Sequence, residues 1–248
     1  MSRALAELIR ANQPCVALTG AGVSTQSGIP DFRSPTGMWA EFDPLEYATI
    51  GAFRRDPEKV WRFYAPRFSM LIEAEPNQAH RALADLERLG LLEAIVTQNI
   101  DLLHERAGSR EVVEVHGSIR TSSCLACGAG YPLAEVLELL RAGEGAPRCT
   151  VCWAVVKPDV VFFDELLPSE AIDRAYALAE RAALLLVVGS SLEVYPVAGL
   201  PDVTLVAGGK VAVVNQGPTS IDARATLRLD GSASEILAAT AAFLASPP

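Results

Sequence analysis

A short apolar run, Cys15-Val16-Ala17-Leu18, passes without a break into Thr19-Gly20-Ala21-Gly22-Val23-Ser24. Pro14 separates it from an amphipathic stretch, about Ser2 to Asn12. A buried strand that feeds a glycine-rich turn and then a helix is how a doubly wound parallel sheet opens. The backbone N–H groups of such a turn face whatever phosphate docks at the helix N-terminus. Further runs at Ala94–Thr97, Val112–Val115, Leu184–Val188, Thr204–Val206, Val211–Asn215 and Ala225–Leu229 have the length and character of buried strands. Helical stretches lie between several of them, at Gln78–Leu89, Ser169–Arg181 and Ser234–Leu244. The alternation predicts an α/β fold, a parallel sheet covered by helices on both faces.

One segment interrupts the pattern. Between about Arg120 and Val156 the chain has glycine turns, one helical piece (Leu133–Arg141) and four of its five cysteines. Cys124, Cys127, Cys149 and Cys152 form two C-x2-C pairs separated by 21 residues. In an intracellular chain this spacing reads as a tetrahedral zinc site rather than as disulfides, with a redox dithiol pair as the alternative. The expected organisation is a small zinc-ribbon module, 120–156, inserted into a larger domain made of 1–119 and 157–248. The fifth cysteine, Cys15, opens the first strand and reads as a buried bystander.

Composition narrows the function. With 248 residues, half of them hydrophobic, and a net charge of −9, the chain is neither disordered nor built to hold nucleic acid through a basic surface. Its most apolar run, Ala182–Val188, is far short of the ~20 residues a spanning helix needs. Arg3, Glu7 and Arg10 interrupt the N-terminus at helical spacing, which does not suit a signal peptide. A cytoplasmic protein without membrane or nucleic-acid partners is expected.

The strand ends carry the chemistry. Gly28 falls too late to complete G-x-G-x-x-G, and no acidic residue ends a second strand where a dehydrogenase grips ribose. Instead an acidic, an aromatic and a basic residue, Asp31-Phe32-Arg33, share a loop bounded by Gly28 and Pro30. Thr97-Gln98-Asn99-Ile100-Asp101 puts amide and carboxylate groups at the end of a buried strand, where they could orient a ribose or a carboxamide; Asp101 could equally cap the next helix. Gly189-Ser190-Ser191 and Asn215-Gln216-Gly217 supply two more polar strand ends. Collected on one sheet edge, these ends point to a dinucleotide-sized ligand. Of the three histidines, His80 and His104 read as structural, while His116, between an apolar strand and Gly117-Ser118, is placed either as a general base or as a buried structural residue.

Taken together, these segments resemble the sirtuin family of NAD-dependent protein-lysine deacylases. The resemblance is carried by Gly20 through Arg33, Thr97 to Asp101, His116-Gly117, the four cysteines, Gly189-Ser190-Ser191-Leu192 and Val213-Val214-Asn215, in the family's order. It implies a Rossmann-like domain with a small zinc domain, and NAD and an acyl-lysine peptide bound in the cleft between them. It also implies roles. Gly20, Ala21, Gly22, Thr25, Asp31, Phe32 and Arg33 would line the NAD loop, and Gln98 would contact ribose. Asn99, Ile100 and Asp101 would form the nicotinamide pocket, with Asp101 on the carboxamide. Gly189, Ser190, Ser191, Asn215, Gln216 and Ala233 would hold the adenosine half. The acyl oxygen would displace nicotinamide, giving an imidate, and His116 would then act as base on a ribose hydroxyl. The products would be free lysine, nicotinamide and O-acyl-ADP-ribose.

Substrate peptide would pair with Val161-Phe162-Phe163-Asp164-Glu165 and with Glu193-Val194-Tyr195. Asp164 departs from the family, which usually has glycine there. Tyr64 and Arg67 resemble the Tyr-x-x-Arg pair with which one sirtuin class holds succinyl- and malonyl-lysine, although Pro66 is expected to disturb their helix. Rival readings are a mono-ADP-ribosyltransferase on the same scaffold, a catalytically silent module that binds NAD or acyl-lysine, and a nicotinamide dehydrogenase, which the altered glycine pattern argues against.

Overall fold

The computed structural model describes residues 2–32, 37–142 and 145–245. The chain divides into two compact units: Met1–Asp31 with Ala74–Val115 and Pro168–Pro248, and Phe32–Glu73 with His116–Leu167. The strands, in chain order, are β1 (Cys15–Thr19), β2 (Ala94–Thr97), β3 (Val112–Glu114), β4 (Gly117–Cys124), β5 (Gly130–Pro132), β6 (Val156–Val160), β7 (Leu184–Val188), β8 (Lys210–Asn215) and β9 (Leu227–Asp230).

The first unit is built on a six-stranded sheet in the order β3-β2-β1-β7-β8-β9. Every neighbouring pair in it is parallel. β7 shows why these runs must be strands of a sheet covered on both faces. All of Leu184–Val188 is fully buried, with Leu184, Leu186 and Val188 in one core and Leu185 and Val187 left for the opposite face. Leu5, Ile9, Leu83, Leu86, Leu237 and Ala241, from the helices Ser2–Ala11, Gln78–Arg88 and Ala233–Ala245, complete that core. The strand order reverses between β1 and β7, and in such sheets ligands dock beyond the carboxyl ends of the strands at the reversal.

One expected strand is a helix. Thr204–Val206 forms the last turn of the helix Leu200–Val206, which Pro201 starts from its first turn. Thr204 Oγ1 donates to Ala179 O at 2.7 Å and Val206 is 89% exposed, so an apolar triplet with two β-branched residues that reads as strand is here part of an amphipathic helix.

The second unit contains the antiparallel sheet β5-β4-β6 and the helix Pro57–Glu73. The segment 120–156 lies within it, together with Phe32–Glu73. Trp61 Nε1 donates to Val156 O at 2.8 Å, and Tyr64 stacks on Phe68 and on Phe162. The helix runs on through Pro66. The carbonyl that Pro66 leaves without a helical donor belongs to Arg62, on an exposed face of the helix. Among the described residues, no helix is long and apolar enough to cross a membrane.

Candidate active site

The turn after β1 is shaped by contact with the turn after β7. A Cβ on Gly20 would lie 2.8 Å from Gly189 O, one on Gly22 would lie 2.9 Å from Gly189 Cα, and one on Gly189 would lie 2.3 Å from Val23 N. Gly189 also has a φ of +59°, in the left-handed region. Only glycine lets the two turns touch, and Gly22 N–H then donates to Gly189 O at 2.9 Å. The α-helix expected after this turn does not form. Two short 3-10 turns, Ala21–Val23 and Thr25–Ser27, take its place, and Gly28, at φ +81°, and Pro30 stop propagation.

Behind the turn lies a buried polar cluster. Ser24 Oγ donates to Asp101 Oδ2 at 2.6 Å, and Asn99 Nδ2 donates to Ser24 Oγ at 3.1 Å and to Gly20 O at 3.3 Å. His80 Nε2 stands 3.3 Å from the same Ser24 Oγ. Asn77 N–H donates to His80 Nδ1 at 3.3 Å, which assigns the proton of neutral His80 to Nε2 and directs it at Ser24. The chain of donors therefore runs from His80 through Ser24 to Asp101. Burial pushes His80 down to about 4, against the pull of Asp101, so the ring is neutral at physiological pH. His104 is held well below the ordinary histidine range by burial and by His80; its Nε2 meets Thr19 Oγ1 at 2.9 Å, and its buried Nδ1 has no partner among the described residues.

Asp101 Oδ1 accepts the Leu103 N–H at 3.0 Å, so Asp101 does cap the next short helix while Ser24 fixes its other oxygen. Each oxygen keeps a lone pair for a ligand amide. Gln98 Nε2 donates to Ser190 Oγ at 3.0 Å, tying the end of β2 to that of β7. Ile100 and Ser191 are half-buried beside these residues in the chain. Asn215 Nδ2 holds the loop after β8 through Gln216 O and Gly217 O. Gln26 Nε2 reaches Ser232 Oγ at 2.9 Å, which draws the glycine turn toward Ala233 at the start of the last helix. Thr25 Oγ1 donates to Gly22 O.

Asp31 ends the first unit's opening segment, and Phe32, in the second unit, stacks on Trp39. Arg33 lies outside the described residues. His116 is half-buried and its carbonyl accepts the Val161 N–H at 2.9 Å. Gly117 follows at φ +75°, where a Cβ would sit 2.1 Å from Asp159 O. Val194 O accepts the Ala198 N–H, and Tyr195 is exposed. Two residues that sequence reasoning gave no part in the site are central to the cluster, Ser24 and His80. Their one local signal is the Asn77-x-x-His80 spacing of a capping box.

In the second unit the four paired cysteines converge, their sulfurs all within 4.8 Å of one another. Ala126 N–H points at Cys124 Sγ and Val151 N–H at Cys149 Sγ, and Tyr131 donates to Cys149 Sγ at 3.1 Å. That hydroxyl helps to bring Cys149 down to about 6. Four converging thiols with donors on their sulfurs fit a tetrahedral zinc, and an all-thiolate set leaves no open position for water. Cys15 is the bystander expected, its thiol pushed up to about 12 by burial.

Comparison with known proteins defines the class. A sequence model of the Sir2 family matches residues 20–196. An NAD-dependent protein deacylase of Thermococcus kodakarensis is 46% identical over 235 residues, 94% of this chain and 91% of its own length. An NAD-dependent protein deacetylase of Caldivirga maquilingensis is 45% identical over 95% of this chain and 90% of its own length. Among solved structures, a Sir2 with a p53 peptide and NAD+ superposes with a TM-score of 0.88 at 40% identity, covering 96% of this chain and 95% of that one. A Sir2Tm bound to a propionylated peptide gives 0.87 at 40% identity, over 95% and 94%. The two relatives are named for their dependence on NAD and one of the two structures holds NAD+; NAD and one structural zinc fit the residues described above. The chain belongs to the Sir2 family, the sirtuins.

Proposed function

We propose that this chain is an NAD-dependent protein deacylase that removes acetyl groups from lysine, consuming NAD as co-substrate and releasing nicotinamide. The observation that carries the reading most directly is Asp101, a buried carboxylate after β2 that is bonded to the turn after β1, with both oxygens fixed and a lone pair left on each. It is suited to hold the carboxamide of nicotinamide, with Asn99 and Ile100 beside it. In the same reading Gln98 contacts the ribose, and Gly20, Ala21, Gly22, Thr25, Asp31, Phe32 and Arg33 line the cofactor loop. Gly189, Ser190, Ser191, Asn215, Gln216 and Ala233 take the adenosine half. His116 accepts the proton of a ribose hydroxyl as that oxygen attacks the activated acyl group. Zinc, held by Cys124, Cys127, Cys149 and Cys152, keeps the small sheet folded.

Acyl-lysine peptides are the partners, with Val161, Phe163, Asp164, Glu165, Val194 and Tyr195 as the residues that pair with them in this reading. The peptide complexes of the similar Sir2 structures support this. None of the five cysteines forms a disulfide, which suits a reducing compartment, and we place the protein in the cytoplasm. Deacylation extends to succinyl- and malonyl-lysine in this reading, because Arg67 has no carboxylate within ion-pair distance among the described residues. Its guanidinium lies against the Phe42 and Phe63 rings, and burial keeps the nearby Tyr64 phenol protonated.

The test is nicotinamide release from NAD in the presence of an acetyl-lysine peptide. His116→Ala should abolish release beyond the first turnover, together with formation of O-acetyl-ADP-ribose, at unchanged zinc content, and sustained release at the wild-type rate would remove His116 from the reaction. Arg67→Met should abolish turnover of a succinyl peptide and spare an acetyl one; unchanged succinyl turnover would end that extension.

A further inference from the structure

The turn that follows β6 is held by contacts unusual for an exposed loop. Lys157 is buried, and its ammonium donates to Pro158 O at 3.0 Å and Val160 O at 2.8 Å and pairs with Glu165 at 2.9 Å. Glu165 Oε2 accepts the Phe162 N–H at 2.8 Å, while the Glu165 N–H donates to Phe162 O at 3.1 Å. Phe163 is anchored on both sides, its N–H on Ala48 O at 2.7 Å and its carbonyl on the Ile50 N–H at 3.1 Å. Between these fixed residues stands Asp164, exposed, at φ +69°. Neither its carboxylate nor its backbone N–H and C=O has a partner among the described residues.

A left-handed backbone strains a residue that carries a Cβ, a strain glycine does not incur. Aspartate tolerates the conformation better than most residues, but it gains no hydrogen bond here in return. What the substitution adds is an unpaired negative charge on a fixed edge with free backbone groups. The turn's own cation, Lys157, is buried and already paired with Glu165, so it does not cancel that charge. Phe163 and Leu166, 41% and 95% exposed, offer apolar surface on either side, against which the aliphatic stem of an arginine or lysine can lie.

We propose that Asp164 is a specificity-determining residue, favouring acyl-lysine substrates with an arginine or lysine beside the modified lysine. The proposal rests on reading Val161–Glu165 as part of the peptide path. An extended peptide that pairs with the free backbone of Asp164 carries its neighbouring side chains past the carboxylate. The acyl-lysine is uncharged and does not compete for it. A cationic neighbour is attracted and an acidic neighbour is repelled.

The experiment uses acetyl-lysine peptides identical except for arginine, alanine or glutamate beside the modified residue, with the wild type and Asp164→Gly. In the wild type, kcat/KM for nicotinamide release should favour arginine over glutamate by roughly fivefold. The preference should shrink at high salt. In Asp164→Gly the ratio should fall toward one, whatever happens to the overall rate. An equal ratio in both enzymes would overturn the proposal. The same peptides, labelled and titrated for binding, report on Asp164 without turnover. A charge preference in binding that Asp164→Gly removes, with no nicotinamide released, would keep the proposal and sink the deacylase reading. Release with no charge preference would do the reverse.

Discussion

At the scale of single residues, the site depends on Ser24. Its oxygen accepts hydrogen bonds from Asn99 and His80 and donates one to Asp101. Removing that hydroxyl leaves a buried carboxylate oxygen without its donor, a loss of about 1.5–3 kcal/mol. Ser24→Ala should therefore lower kcat/KM for NAD by about tenfold to a hundredfold at unchanged zinc content; an unaltered value would take Ser24 out of the site. His80 makes a different prediction. Unfolded, it titrates near 6.5, while burial in the fold holds it near 4. Below 6.5 the unfolded chain takes up a proton that the folded chain refuses. The stability tied to His80 is thus whole above pH 6.5 and drains away as the pH falls toward about 4. The thermal unfolding midpoint should drop across that window, and His80→Gln should flatten part of the drop, with His104 acting in the same direction. A midpoint equally steep in the variant would contradict the neutral, buried His80.

At the scale of elements, the reversal of strand order places the β1 and β7 turns in contact, and glycine makes the contact feasible. Gly189→Ala puts a methyl carbon 2.3 Å from Val23 N and a Cβ on a backbone at φ +59°. It should destabilise the chain by more than the ~1–2 kcal/mol of the left-handed conformation alone and weaken NAD binding, read by calorimetry. Binding and stability like the wild type's would show that the turns can separate freely. Most of this layer was legible in the sequence. Leu184–Val188 and Ser169–Arg181 form as expected, because a fully buried apolar run and a long amphipathic period leave the chain little choice. Thr204–Val206 misled because β-branching is a local preference, and a helix start at Pro201 with one apolar face overrides it. The helix after Gly22 was over-read for a related reason: strand and glycine turn signal a phosphate helix, but Gly28 and Pro30 stop it early. Ser24 and His80 were illegible as partners because they meet across 56 residues, and Ser24 and Asp101 across 77. No window on the chain contains both members of such a pair.

At the scale of the whole molecule, the glycine turn and Asp101 belong to one compact unit, and His116 and the zinc cysteines belong to the other. The four thiolates join the end of β4 and the turn after it to the segment before β6, so zinc holds a sheet too small for a large core of its own. One zinc per chain is expected, and a strong chelator should unfold the second unit and abolish activity together. Activity retained after complete removal of the metal would contradict a structural role. In the proposed reaction NAD is consumed as an acyl acceptor. Mass spectrometry of a reaction with NAD and an acetyl-lysine peptide tests it most directly. The predicted result is deacetylated peptide, nicotinamide and O-acetyl-ADP-ribose in equal amounts. A peptide or enzyme heavier by one ADP-ribose, with the acetyl group still in place, would contradict it.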